Sequence, residues 1–272
     1  MTCGARNLIW LVSVAAWGGA CGAPSPGDEP APGPVPDAAD ASVVALPDGG
    51  PRVAVAAGTA VIGCVDGDPA CRSDELPAVT VELAAFVIDR EEVSLADYLA
   101  CVDVGACPLP EANVDSPDAA HVPVRDVPWA AALAYCQQRG ARLPREVEWE
   151  YAARLGLRSR FPWGNSTPDC DVADFAGCAA DAPGPMDLPG GASPAGVLGL
   201  AGGVAEWVDD GYAPDAYARL AAGEPVGAGP RRVIRGGSFR SPADALRTSA
   251  RTAGDPALAY DDVGFRCAED AP

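Results

Sequence analysis

The chain has no lysine, a single histidine and no cysteine between Cys178 and Cys267. All 19 basic residues are therefore arginine. With abundant Ala, Gly and Pro, that bias fits a GC-rich genome better than a function. Positive charge is scarce overall, and the formal net charge is −19. A field of that sign excludes nucleic-acid binding through the bulk surface and is repelled by anionic lipid. One histidine, His121, is too few for a multi-histidine metal cluster. It also precedes Ser238 and Ser241 with no nucleophile-elbow pattern, which argues against a Ser/His/Asp hydrolase. No apolar run is long enough to span a bilayer.

What is present begins with the N-terminus. Arg6 precedes an apolar run from Leu8 to Trp17, followed by Gly18-Gly19-Ala20-Cys21. This is the layout of a signal peptide over 1–21 ending in a lipidated cysteine, Cys21, although Gly18 stands where leucine is usual. Ordinary secretion is the alternative. Residues 22–52 are rich in Pro, Ala, Gly and Asp and read as a flexible tether. The expected product is an exported, membrane-anchored lipoprotein of the outer membrane, periplasm or cell surface, touching the membrane only through its lipid. The remaining 53–270 reads as one domain.

Eight cysteines remain after Cys3 and Cys21, and an oxidising compartment allows them to pair. Cys64 with Cys71, Cys101 with Cys107 and Cys170 with Cys178 are short-range pairs. They leave Cys136 with Cys267, a staple worth about 4–5 kcal/mol by loop closure. Spacing alone does not fix this connectivity. A zinc site is the rival, but there is no tight CxxC pair and only His121 to assist.

Along the domain, Val53–Gly63 reads as a strand and turn, and Val79–Ile88 as a second strand. Ser94 is placed to cap a helix with Leu95, Tyr98, Leu99 and Val102 on its apolar face. Pro128 opens a second helix that Gly140 ends, and a third runs from Arg145 to about Leu155. Beyond Gly156 the chain is loop-rich, with strand-like pieces at Val204–Val208, Arg232–Arg235 and Gly264–Cys267. That order argues for an α+β fold. Trp149, Tyr151, Trp163 and Trp207 read as core aromatics. Gly236-Gly237 opens no helix and reads as a turn, not a phosphate loop. Arg154, Arg235 and Arg266 read as forks tying loop carboxylates and carbonyls together.

Six ordered segments carry a specific likeness. They are Ala85–Ser94, Pro123–Trp129 with Ala134–Cys136, Arg142–Arg154 (RLPREVEWEYAAR), Phe161–Asn165, Arg235–Phe239 (RGGSF) and Gly264–Cys267 (GFRC). Together they resemble the formylglycine-generating enzyme, or sulfatase-modifying factor, family. The resemblance implies a C-type-lectin-like α+β fold rich in irregular loops. It also implies a disulfide between Cys136 and Cys267.

The family's oxidases bind copper through two cysteines just after the GGS strand, because copper(I) prefers soft thiolates. Here Ser241 stands at the first position and Leu246 near the second. The gap without cysteine covers both positions however the segment is aligned, so copper is not expected. Related iron enzymes, the sulfoxide synthases, need a histidine cluster, so non-heme iron is not expected. The family's calcium sites are partly kept. Glu206 and the carbonyls of Gly202 and Val204 remain, but Gly199 replaces an Asp or Asn, which weakens any Ca²⁺ site. Asp174 with Asp181 forms the second implied set.

The expectation is a catalytically degenerate family member acting in binding or scaffolding, with an unidentified protein or glycan as partner. One alternative is an active protein-modifying oxidoreductase using non-cysteine groups, with Arg240, Ser241, Asp244 and Arg247 as the candidate cleft. Another is a lectin-like module recognising a ligand through the loops of 156–194.

Overall fold

Alternating apolar side chains and two pairs of alanines set the first half of the fold. The computed structural model describes residues 42–44, 50–110, 114–178, 182–226 and 229–271. The segment read as a signal peptide, Cys21 and most of the segment read as a tether lie outside the described residues. Ser42–Val44 forms strand β1 and pairs with β2 (Arg52–Val55), so the described strands include three residues of the segment read as tether. The three residues end in two valines, which favour extended backbone over the surrounding Pro/Ala composition.

The single strand expected from Val53 to Gly63 is two. β2 enters a four-stranded antiparallel sheet, and β3 (Gly58–Ile62) leaves it to pair with β4 (Val79–Leu83). The expected strand Val79–Ile88 divides likewise into β4 and β5 (Phe86–Asp89). Both breaks fall at alanine pairs, Ala56-Ala57 and Ala84-Ala85, where the chain turns a corner between sheets. Alternation continues through such a corner, so periodicity does not mark it.

α1 (Leu95–Asp103) starts as expected, with Ser94 Oγ accepting from the Asp97 N–H at 3.0 Å. α2 spans Trp129–Gln138 and α3 spans Glu146–Arg154. In α3, the Glu148 carboxylate accepts from the Arg145 N–H at 2.8 Å, one half of a capping box. Leu155 then turns left-handed at φ 43° and the helix ends. The second sheet runs β8 (Arg251–Gly254), β7 (Arg232–Arg235), β6 (Ala205–Gly211) and β9 (Val263–Phe265), with β6 and β9 parallel. Gly264–Cys267 is not one strand. β9 ends at Phe265, and β10 (Ala268–Asp270) joins β5 in the first sheet. α4 (Ala216–Ala221) and β8 have no counterpart in the pattern-based reading.

Two apolar cores result. One packs α3 and α4 on β2 to β5, around Trp149, Val53, Ile88 and Tyr217. The other packs α1 and α2 on β6 and β9, where Tyr98 stacks on Tyr135 at 5.7 Å and Phe265 meets both edge-on. The aromatics read as core are buried, except that Trp163 is only partly so. All four expected disulfides form: Cys64–Cys71, Cys101–Cys107, Cys136–Cys267 and Cys170–Cys178. Cys136–Cys267 ties α2 to the corner between β9 and β10.

The candidate cleft and the buried carboxylates

The segment after β7 carries the positions where the family keeps its cysteines. Gly236 and Gly237 both take positive φ, 90° and 68°. A Cβ on Gly237 would sit 2.9 Å from the Ala245 carbonyl oxygen, so the turn folds directly onto the following 3-10 turn, Ala243–Leu246. This reversal presents Ser238 and Ser241 to each other. The Ser238 hydroxyl donates to Asp262 Oδ2 at 2.7 Å. Ser241 Oγ lies 3.2 Å from Ser238 Oγ and accepts from the Ser238 N–H at 2.9 Å. The result is a hydroxyl–hydroxyl–carboxylate chain ending at Asp262.

Ser241 and Asp262 line a cavity of about 160 Å³ with Arg72, Ile234, Thr252 and Tyr260. The volume suits a single side chain or small group. Its walls mix hydroxyls, one carboxylate and aliphatic surface, and they include no thiol.

Of the four residues expected in the cleft, only Ser241 lines this cavity. Arg240 points to solvent and pairs with Asp261 at 2.6 Å. Asp244 is exposed, and its carbonyl accepts from Arg247 Nε at 2.9 Å. Arg247 is fully buried; two of its nitrogens each donate to a Glu75 oxygen at 2.6 Å. Asp68 stands 3.4 Å from the same guanidinium. Arg247 is thus an interior anchor and not a cleft residue: the chain leaves the 3-10 turn in extended backbone at Arg247, which carries the side chain inward to Glu75. Leu246 is also buried, in a small cluster with Phe161, Ala173 and Ala201. A residue at that position faces the core.

The calcium ligands implied by the resemblance have these surroundings in the structure. Both Glu206 oxygens are engaged: Arg266 donates to them at 2.8 and 2.7 Å, and Trp149 Nε1 donates at 2.9 Å. Glu206 is here the ion-pair partner of Arg266, and a carboxylate held by a guanidinium is a weaker cation ligand than a free one. Gly202 and Val204 flank it; the Gly202 N–H donates to the Gly236 carbonyl at 3.1 Å. Asp174 is buried, and its Oδ2 accepts from the Gly184 N–H at 2.7 Å. Burial raises its pKa above the ordinary aspartate value. Asp181 lies outside the described residues.

The carboxylate that sequence patterns missed is Glu92. It is 4% exposed, and its Oε2 has no hydrogen-bond partner. Burial pushes its pKa up to about 8; Arg266 opposes the rise and Glu206 adds to it. Glu92 and Asp174 line one cavity of about 20 Å³ beneath the glycines of 199–203. In sequence, Glu92 sits in the acidic run Asp89–Glu92 ahead of α1, a context that looks solvated. The zinc alternative for the cysteines is not realised among the described residues. Cys64 and Cys71 lie within 4.8 Å of Glu75, but their sulfurs form a disulfide and Glu75 is held by Arg247.

The charged interior is extensive. Arg235 donates to Glu150 at 2.6 Å and to the carbonyls of Thr248, Ser249 and Ala250 at 2.5–3.1 Å. Arg251 donates to both Glu146 oxygens at 2.5 and 2.9 Å. Burial, then Arg235, lowers the Arg154 pKa to about 10, and Arg154 pairs with Glu150. Arg154 and Arg235 fork to loop carbonyls as expected, but the carboxylate they meet, Glu150, lies in α3 and not in a loop.

Relatives share this framework. Residues 42–271 match the sulfatase-modifying factor enzyme 1-like domain. Hercynine oxygenase from Mycolicibacterium thermoresistibile is 33% identical over 280 residues, covering 84% of this chain and 62% of that protein. Formylglycine-generating enzyme from Streptomyces coelicolor is 36% identical over 170 residues, covering 55% of this chain and 53% of that protein. The chain thus spans less than two thirds of either. The structure of PvdO from Pseudomonas aeruginosa superposes with a TM-score of 0.74 at 22% identity, over 85% of this chain and 98% of that one. That last likeness speaks to the fold, and it places the mixed sheets, short helices and stapled loops in an architecture already seen in a solved structure. With the RLPREVEWEYAAR and RGGSF segments at the heart of that framework, the chain belongs to the sulfatase-modifying factor, or formylglycine-generating enzyme, family.

Proposed function

We propose that this domain binds a ligand in the cavity beside Ser241 and does not carry out the copper chemistry that the family's cysteine pair implies. The observation that carries the reading is the side-chain chemistry at the two cysteine positions: Ser241 is a hydroxyl on the cavity wall, and Leu246 is buried in an apolar cluster. Neither supplies a thiolate, and a serine hydroxyl is not a copper(I) ligand at neutral pH. The occupant by this reading is a side chain or terminal group of a protein or glycan partner, delivered to an exported lipoprotein. The experiment is incubation of the purified protein with copper and a CxPxR peptide. No formylglycine should form, and robust formation refutes the reading. The lipid anchor is tested separately by mass spectrometry of the mature N-terminus. An unmodified first residue other than Cys21 refutes it.

A second reading rests on the Ser241–Ser238–Asp262 chain. It is a route for a proton away from Ser241 to a carboxylate, as an enzyme with a serine in place of cysteine would need. The kinship with hercynine oxygenase keeps an enzyme in view. Turnover of any substrate that is lost on Ser241→Ala while the fold is retained would favour this reading over binding alone.

A further inference from the structure

The protein spends nearly all of its positive charge on its own groups, and Arg72 is the exception. Apart from Arg72, Arg231 and Arg232, every described arginine meets a carboxylate. Arg231 lies over the Tyr212 ring; Arg232 lies over Trp129 and donates to the Asp209 carbonyl at 2.6 Å. The Arg72 guanidinium has no acid, carbonyl or ring against it among the described residues. Arg72 is exposed and lines the cavity of Ser241, where it is the only lining cation and Asp262 the only lining carboxylate.

The loop that carries Arg72 commits its own acids elsewhere. Asp66 pairs with Arg158 at 2.9 Å, and Asp68 with Arg160 at 3.2 Å. Asp74 accepts from the Tyr212 hydroxyl at 2.8 Å, and Glu75 accepts from Arg247 at 2.6 Å. The Cys64–Cys71 disulfide and the bond from Arg251 to the Asp74 carbonyl, 2.9 Å, add to these ties and pin the backbone on both sides of Arg72. Such anchoring cuts the ordering cost of capturing a ligand. A guanidinium with no partner offers its whole donor fork, which matches a carboxylate through two parallel hydrogen bonds. Behind Arg72, much of the wall is aliphatic: Ile234, Ala250, Ala253 and Val263. That surface leaves the hydroxyls of a sugar without partners but suits a small apolar side chain, and about 160 Å³ holds one.

We propose that the cavity captures the C-terminal residue of a peptide, with the chain-end carboxylate on Arg72 and the last side chain against the aliphatic wall. The proposal rests on the reading of this cavity as a ligand site. The probes are acetylated tripeptides ending in Ala, Val, Leu or Ser, each made as free acid and as amide, titrated calorimetrically into the full chain. Glucuronic acid is the control for a carboxylate carried by a sugar. At least one free acid should bind about tenfold or more tighter than its amide. Arg72→Ala should remove that preference and leave the melting temperature unchanged, because the side chain has no partner to lose. Arg72→Lys should restore only part of it, since an ammonium lacks the fork. Ser241→Trp, which fills the cavity, should abolish binding; Thr252→Trp, at the exposed end, takes its place should that variant not fold. The proposal is overturned if no free acid binds, or if the preference for acid survives Arg72→Ala. Acid and amide binding equally, both blocked by the tryptophan, also overturns it but leaves the cavity as a ligand site. Binding that survives the tryptophan overturns both. Arg72-dependent binding of glucuronic acid without any of the peptides overturns it in favour of an acidic glycan.

Discussion

Arg247 and Glu75 show how a charged pair is placed by burial and not by chemistry at a surface site. Both side chains are fully buried, and the guanidinium meets the carboxylate at two short contacts. Removing one partner leaves the other charged and buried, which costs about 3–5 kcal/mol in comparable pairs. Arg247→Ala is therefore expected to lower the denaturant midpoint sharply, whereas Arg240→Ala, at an exposed pair, should change it little. Equal effects would refute this distinction. Asp210 gives a pH signature at the same scale. Its Oδ2 accepts from the Glu146 N–H at 2.5 Å, and burial followed by Glu146 raises its pKa to about 6. A carboxyl whose folded pKa is raised holds its proton more tightly when folded. Its contribution is thus full below its ordinary range, near pH 4, and declines as pH rises through about 6. Asp210→Asn keeps an acceptor for the N–H and should flatten that part of the stability profile, as urea melts across this range would show.

At the scale of elements, the helices follow rules that are visible in the residues. Ser94 caps α1 as its position implied, and Ser94→Ala should cost about 1 kcal/mol, measurable by chemical denaturation. Gly140 at φ 71° and Leu155 at φ 43° end α2 and α3 near the expected positions. The strands were less legible. β2 and β3 read as one run, as did β4 and β5, because alternation persists across an alanine corner while the hydrogen-bond partner changes. β8 escaped notice because Arg251 and Gly254 are buried by ion pairing and close packing, not by apolar periodicity. The 3-10 turn of 243–246 decided the cleft in the same way. Residues a few positions apart around it diverge, Ser241 to the cavity and Leu246 and Arg247 to the interior.

Among the described disulfides, the staple between Cys136 and Cys267 closes the longest loop, with a sequence separation of 131. Replacing both cysteines with alanine should destabilise the domain by about 4–5 kcal/mol if chain entropy dominates. The equivalent change at Cys101 and Cys107, separated by six residues, should cost distinctly less, and calorimetry of the two variants compares them directly. Among the described residues no helix is long and apolar enough to cross a membrane.

By itself, the sequence determined the family, the α+β class, the number of cysteines and the missing thiols. Each of these is written in local motifs, in counts or in spacing, which survive without coordinates. Only the tertiary structure decided which carboxylates are occupied and which are free. Glu206 carried the family's signature and proved to be locked to Arg266, while Glu92, in an acidic run that looks solvated, is buried with an unpaired oxygen. The physical reason is that the state of a charged group depends on its partners and its burial. Those are supplied here by segments 60 to 177 residues apart in the chain, whose meeting no local pattern encodes.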